Sequence, residues 1–264
     1  KVKIKPKKSL GQNFLTDREI VKKILDCAEI NNKHVLEVGP GTGNLTDAIL
    51  KKNPKELILV EKDTNLLDLL KERYPKKIRF INEDILDISV SNLSKNKLIV
   101  FGNLPYNIST EILTKWILNL DTNLWFDQLI LMFQKEVADR IISNSNTANY
   151  GRLSIISNWK LNIKKIIDIK PNSFKPRPKI DSTLLVFTPK KDFFKLDHPN
   201  SIEKVTRVFF NQKRKKIKKP LNKLFPNSEE IAKKLNLNLD LRPQNLDFET
   251  YYKLAKELEK KLRN

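Results

Sequence analysis

The chain has 264 residues, enough for one large domain or one with a small appendage, and its 39% hydrophobic content is ordinary for a globular protein. A single cysteine, Cys27, excludes an internal disulfide framework and a cysteine zinc site, and His34 and His198 form no ligand motif. Lys and Arg total 51 against 31 Asp and Glu, a net charge of +20 that favours a polyanionic partner, nucleic acid first.

No apolar run is long enough for a membrane span and no signal-like segment is visible, so the sequence predicts a cytoplasmic protein. Residues 1–15 read as a basic arm in which Lys7 and Lys8 are candidate phosphate contacts. Thr16 and Glu19 have the spacing of a capping box, with Leu15 against Ile20 as its staple. The helix that follows is expected to place Ile20, Val21, Ile24, Leu25 and Ala28 on one face and to include Cys27.

From His34 the pattern alternates. Short apolar runs occur at Val35–Val38, Leu57–Val60, Ile78–Ile81, Leu98–Phe101 and Leu129–Phe133, with helical patterns near 44–52, 64–73, 109–118 and 135–143. Such alternation predicts an α/β fold with a parallel sheet covered by helices on both faces. Extended stretches near 163–169 and 180–188 follow with no long helix between them, joined through Pro171, Pro176 and Pro178, and are expected to pair antiparallel. After Pro189 only helical patterns remain, at 200–212, 228–235 and 247–262, separated by Pro220, Pro226 and Pro243. The expected organisation is an arm over 1–15, an α/β domain over 16–190 and a helical domain over 191–264.

The turn after the first run, Val38-Gly39-Pro-Gly41-Thr-Gly43-Asn44, has G-x-G-x-G spacing and follows an acid, Glu37. Glycines let a backbone pass close to a ligand, and the next helix offers free N–H groups. A dinucleotide loop would carry its third glycine at position 44, where Asn44 stands. The second run ends in Glu61-Lys62, whose carboxylate can accept both ribose hydroxyls of an adenosine. Asp84 and Ile85 after the third run can accept from an adenine amine and pack on its ring. Three acids and a glycine turn in this order suit S-adenosylmethionine better than a dinucleotide, and nothing in the set calls for a metal.

The fourth run leads into Gly102-Asn103-Leu104-Pro105-Tyr106-Asn-Ile-Ser109. Here an amide, a stiffened backbone and an aromatic face can hold a planar, amino-bearing ring. This segment resembles the signature of amino-directed N6-adenine methyltransferases, and its local form is similar to that of the ribosomal RNA adenine dimethyltransferases. Further segments carry the same resemblance: Lys8-Ser-Leu-Gly-Gln-Asn-Phe-Leu15, Met132–Arg140, Tyr150–Ser154, Phe174-Lys-Pro-Arg-Pro-Lys-Ile-Asp-Ser182 and Leu241-Arg-Pro243. Phe210–Lys216 looks like the bacterial small-subunit branch, although Lys213 stands where that branch begins its basic run with arginine.

The resemblance implies a Rossmann-like, mostly parallel seven-stranded methyltransferase sheet with a small helical RNA-binding domain. It implies that Gln12, Asn13 and Leu15 close over S-adenosylmethionine, with Gly39 near its methionine part, Glu61 at its ribose and Asp84 at its adenine. Gly41, Gly43, Lys62 and Ile85 would join them in binding the cofactor. Asn103 would touch both cofactor and target amine, with Leu104 and Pro105 beside it, and Tyr106 and Phe174 would sandwich the target base. Arg214, Lys215, Lys216, Lys218 and Lys219 join the arm as candidate RNA contacts. The expected reaction is dimethylation of two adjacent adenines in small-subunit ribosomal RNA of an assembling particle, by a monomer. Alternatives are a large-subunit adenine methyltransferase conferring macrolide-type resistance, a non-catalytic nucleic-acid-binding factor on the same scaffold, and, more distantly, a dinucleotide oxidoreductase.

Overall fold

The computed structural model describes residues 12–74, 78–120 and 124–263. These group into two units along the chain, one comprising residues up to Ile112, Leu120–Ala138 and Ile163–Pro189, the other Leu113–Asn119, Asp139–Asn162 and residues from Lys190 onward.

The first unit is built on apolar runs that are buried on both faces, as the inner strands of a parallel sheet must be. Strands β2 (His34–Val38), β3 (Glu56–Val60), β4 (Ile78–Ile81), β5 (Leu98–Asn103) and β6 (Phe126–Gln134) lie parallel. β9 (Ser182–Pro189) runs antiparallel to β6, and β7 (Leu161–Ile169) takes the edge. Among the described residues the order is β4-β3-β2-β5-β6-β9-β7, a seven-stranded sheet. The two late extended stretches are therefore neighbours in the sheet as expected, and β9 also pairs antiparallel with β6, Gln134 opposite Ser182 and Leu129 opposite Phe187. A separate two-stranded sheet joins β1 (Phe14–Leu15) to β8 (Phe174–Lys175).

Helices α1 (Arg18–Leu25), α2 (Asn44–Leu50), α3 (Thr64–Arg73), α4 (Ser109–Leu118) and α5 (Lys135–Ile141) follow the expected alternation. α1 buries Ile20, Val21, Ile24 and Leu25 along one stripe. Its cap differs from the expected Thr16–Glu19 box. Asp17 is the N-cap, accepting from the backbone N–H groups of Glu19 and Ile20 at 3.0 and 3.2 Å. Thr16 is drawn away instead, its N–H and hydroxyl both donating to the Ser173 carbonyl at 2.9 and 3.2 Å. Asp26 closes the helix, so Cys27 and Ala28 lie beyond it rather than within it.

The second unit holds α6 (Arg152–Lys160), α7 (Asn200–Phe210), α8 (Lys218–Leu224), α9 (Ser228–Lys234) and α10 (Phe248–Arg263). α7 and α10 pack through Ile202, Val205 and Phe209 against Tyr251, Leu254 and Ala255, with the Phe209 and Tyr251 rings edge-on at 5.7 Å. Glu259, buried in α10, accepts from the N–H groups of Asp197 and His198 and from the Ser201 hydroxyl, so a side chain of one helix caps the start of another. α6 and α8 are absent from the sequence expectation for physical reasons. α6 buries Leu153, Ser154, Ile155, Ile156, Ser157, Trp159 and Lys160, which leaves no one-sided stripe to read. α8 contains Pro220, read as a breaker, but in the first turn its missing N–H has no intrahelical partner to lose. Among the described residues no helix is long and apolar enough to cross a membrane.

Candidate active site

β2 and β5 are neighbours, with β3 and β4 on one side and β6 on the other. That reversal is the topological switch point of an open sheet, where strand ends diverge and leave a crevice. A cavity of about 180 Å³ lies there, floored by residues that follow β2, β3, β4 and β5. Gly39 and Gly41 line it, and with Gly43 they hold φ values of 69°, 56° and 84° that other residues rarely adopt. A Cβ on Gly41 would sit 2.7 Å from the Phe14 ring, and one on Gly39 would sit 3.3 Å from the Asn103 carbonyl oxygen. The turn is thus packed between β1 and the end of β5 while its backbone faces the crevice.

Three carboxamides fasten the segment that runs over this turn. Gln12 Nε2 donates to Asp63 Oδ2 at 3.0 Å, Asn103 Nδ2 to the Asn13 carbonyl at 2.7 Å, and Asn44 Nδ2 to the Leu15 carbonyl at 2.7 Å. Gln12, Asn13 and Leu15, expected to close over a cofactor, are therefore brought to the glycine turn, and Gln12 and Asn13 line the cavity. Asn44 was read in the sequence only as a missing glycine; its amide has a task of its own. Asp63 was missed, although its place just before a helical pattern marks an N-cap, and it does cap α3 through the Asn65 N–H at 3.2 Å.

The expected acids gather around the same space. Glu61, on the cavity wall, accepts from the Asp63 N–H at 2.8 Å; burial raises its pKa, and the backbone N–H contacts oppose that rise. Asp84 and Ile85 line the wall beside Glu83 and Leu66, the last two not foreseen. Lys62, also a lining residue, donates to Asp84 Oδ2 at 2.7 Å, while Asp84 Oδ1 accepts from the Leu86 N–H at 3.0 Å. Glu37 lies behind the turn, 2% exposed, accepting from Thr46 Oγ1 at 2.7 Å, and burial pushes its pKa up to about 8.

Asn103, Leu104, Pro105 and Tyr106 complete the cavity from the end of β5. Tyr106 is half-buried, and its hydroxyl pairs closely with Ser182 Oγ at the start of β9. Burial raises the phenol's pKa, against the opposing effect of that hydrogen bond. Phe174 departs from expectation. It has no exposed surface, belongs to the apolar core with Leu15, Phe101 and Met132, and is not among the cavity's lining residues. The pairing of Leu15 with Phe174 across β1 and β8 draws that ring inward, so in this structure it presents no face to a base.

In the second unit, Lys215, Lys216, Lys218 and Lys219 line an open concavity of about 530 Å³ with Gln212 and Asn222. Ile217, fully buried between them, anchors the segment. Arg214 is exposed but does not line the concavity, and Lys213 is spent on the Ala148 carbonyl at 2.5 Å. Lys7 and Lys8 lie outside the described residues.

The residues present fit S-adenosylmethionine: a glycine turn whose backbone faces the cavity, carboxylates at Glu61 and Asp84, apolar side chains at Ile85 and Leu66, and the Asn103 amide all line one space. Comparison with known proteins agrees. Residues 3–260 match the family model described as Ribosomal RNA adenine dimethylase. The chain is 64% identical over 256 residues to the Ribosomal RNA small subunit methyltransferase A of Pelagibacter ubique (strain HTCC1062), covering 97% of this chain and 98% of that one. It is 39% identical over 261 residues to the protein of the same name from Ehrlichia canis (strain Jake), covering 97% and 98%. Among solved structures it resembles a dimethyladenosine transferase from Plasmodium falciparum, with TM-score 0.80, 27% identity, and 94% and 98% of the two chains covered. The 23S rRNA methyltransferase ErmE shares the fold, with TM-score 0.67, 23% identity, and 94% and 100% covered.

Proposed function

The chain belongs to the ribosomal RNA adenine dimethylase family, and on that footing we propose how its own residues carry out the reaction. It is an S-adenosylmethionine-dependent enzyme that dimethylates adenines of small-subunit ribosomal RNA. The observation that carries the residue assignment is the convergence of Glu61, Asp84 and Asn103, from the ends of three parallel strands, on one cavity.

In this reading Glu61 accepts the ribose hydroxyls, Asp84 and Ile85 hold the adenine, and the backbone of Gly39 and Gly41 lies along the methionine part. Lys62 releases or shares Asp84 when the adenine arrives. Gln12, Asn13 and Leu15 close the site through the three carboxamide contacts described above. The bound cofactor supplies a methyl group on positively charged sulfur.

The target amine needs help because its lone pair is delocalised into the ring. Asn103 Nδ2 is committed to Asn13, which leaves Oδ1 as the acceptor for one amine hydrogen. The Leu104 carbonyl, held by Pro105, accepts the other. Two acceptors favour a pyramidal nitrogen and orient its lone pair, so catalysis rests on positioning. No strong base is required, because the nitrogen becomes acidic as it is alkylated. Tyr106 stacks on the extruded base, and the aromatic contact offsets part of the few kcal/mol that unstacking costs, returning ~1–3 kcal/mol.

The finer reading is that two adjacent adenines each receive two methyl groups, in the cytoplasm, on an assembling small-subunit particle, by a monomer. Residues 191–264 would contribute RNA binding through Lys215, Lys216, Lys218 and Lys219. The large-subunit alternative is not favoured, since the relative at 64% identity is a small-subunit enzyme by name. A non-catalytic factor would not need the acids and amide retained here. Mass spectrometry of nucleosides from unmethylated small-subunit particles incubated with the protein and S-adenosylmethionine tests the proposal. N6,N6-dimethyladenosine is expected; unmodified adenosine, or modification confined to large-subunit RNA, would overturn it.

A further inference from the structure

Among the described residues, Ile166 and Ile180 are the large apolar side chains left exposed, Ile180 at 42%. A lone exposed isoleucine is ordinary on a protein surface, and its meaning here comes from its support and position. β9 runs antiparallel to β6, so its first residue, Ser182, stands at the sheet edge where β5 and β6 end and the cavity opens. Asn103 pairs with Met132, and Met132 with Leu184, which sets β9 two strand spacings, ~10 Å, from the catalytic strand. Tyr106 reaches Ser182 directly through its hydroxyl.

The loop carrying Ile180 is held firmly on this side. The Asp181 carbonyl accepts from the Lys135 N–H at 2.9 Å, and its carboxylate from Lys170 Nζ at 2.7 Å. Pro176 and Pro178 restrict the backbone before it. Lys175, Arg177 and Lys179, all exposed, precede the isoleucine in the same loop and give it positive charge. A firmly held apolar tip on a cationic loop suits a partner with charged phosphates and flat apolar bases, and proteins that distort nucleic acids insert such side chains between bases. Phe174, from the same loop, is buried and unavailable for this.

We propose that Ile180 is a wedge that occupies the gap left in the RNA stack when the target adenine enters the cavity, while Lys175, Arg177 and Lys179 hold the flanking phosphates. The inference rests on the function proposed above. It adds a residue that acts on the RNA's conformation rather than on the amine.

The test uses the full chain, S-adenosylmethionine, and small-subunit particles reconstituted with either adenine or 2-aminopurine at the target position. With 2-aminopurine, fluorescence rises when the base leaves its stack. Ile180→Ser is expected to reduce that rise by at least half and to lower the methylation rate on adenine particles about tenfold. Affinity for S-adenosylmethionine should stay within twofold of the parent, and Ile180→Leu should restore both RNA readouts. A full fluorescence rise and parental rate in Ile180→Ser would overturn the wedge. If the parent itself neither methylates the adenine particles nor raises the fluorescence, the functional reading fails and the wedge fails with it.

Discussion

The side-chain amide of Asn103 donates through Nδ2 to the backbone carbonyl of Asn13 at 2.7 Å, joining the end of β5 to the segment that enters β1. A carbonyl can only accept, so the contact fixes which end of the carboxamide is which, and Oδ1 is the oxygen proposed to meet the substrate. It also ties the segment before β1 and the amide proposed for catalysis into one unit. Disturbing either is expected to disturb both.

Gly41→Ala tests the packing of the turn. Its φ of 56° alone costs an alanine ~1–2 kcal/mol, and the new Cβ would meet the Phe14 ring at 2.7 Å. Urea unfolding should reveal at least that loss, and calorimetric titration with S-adenosylmethionine should give an affinity more than tenfold weaker. Parental affinity would contradict the placement of β1 against the turn.

Glu37 gives a pH signature. Burial raises its pKa from the ordinary carboxylate range to about 8, so the fold favours the protonated form. Its stabilising contribution is complete below the unfolded value and is lost as pH rises through about 8. Glu61, also raised by burial, acts in the same sense. Thermal unfolding between about pH 5 and 8 should therefore show a shallower decline in Tm for Glu37→Gln than for the parent. Parallel declines would count against a buried, protonatable Glu37.

In the second unit, Glu259→Ala removes the acceptor of the Asp197 and His198 N–H groups at 3.1 and 2.7 Å. Two donors left without that partner should cost about 3 kcal/mol in urea unfolding, and Glu259→Gln, which keeps one oxygen acceptor, should cost less. A loss below ~1 kcal/mol for the alanine variant would mean that solvent replaces the carboxylate without penalty.

Replacing Lys215, Lys216, Lys218 and Lys219 together by Gln should weaken binding to small-subunit RNA and flatten its salt dependence. Four phosphate contacts correspond to a slope of log affinity against log salt shallower by roughly 3. An unchanged slope would remove these lysines from the interface.

The parts of the site legible in the sequence are those whose chemistry and backbone constraint lie in consecutive residues. Gly39–Gly43 and Asn103–Tyr106 each sit at the end of a buried apolar run, so run, turn and place beside the cavity could be read together. Contacts between distant side chains were not legible: Gln12 meets Asp63 across 51 positions, and no local spacing announces it. The burial of Phe174, expected at the target base, was not legible for a related reason. Its burial follows from β1 and β8, two strands of two residues each, too short to carry an alternating pattern. Lys213, noted in the sequence only as standing in place of an arginine, has a contact of the same unannounced kind: its ammonium meets the Ala148 carbonyl in the fold.

The central claim is that Asn103 holds the target amine in a site whose cofactor contacts are largely made by other residues. It is tested most directly by single-turnover methyl transfer from S-adenosylmethionine to unmethylated small-subunit particles by Asn103→Ala, with cofactor affinity measured in parallel. The account predicts a rate lower by about 10²–10³, the scale of losing one preorganised polar group at a transition state, with cofactor affinity within roughly tenfold of the parent. Transfer by Asn103→Ala at the parental rate would contradict it.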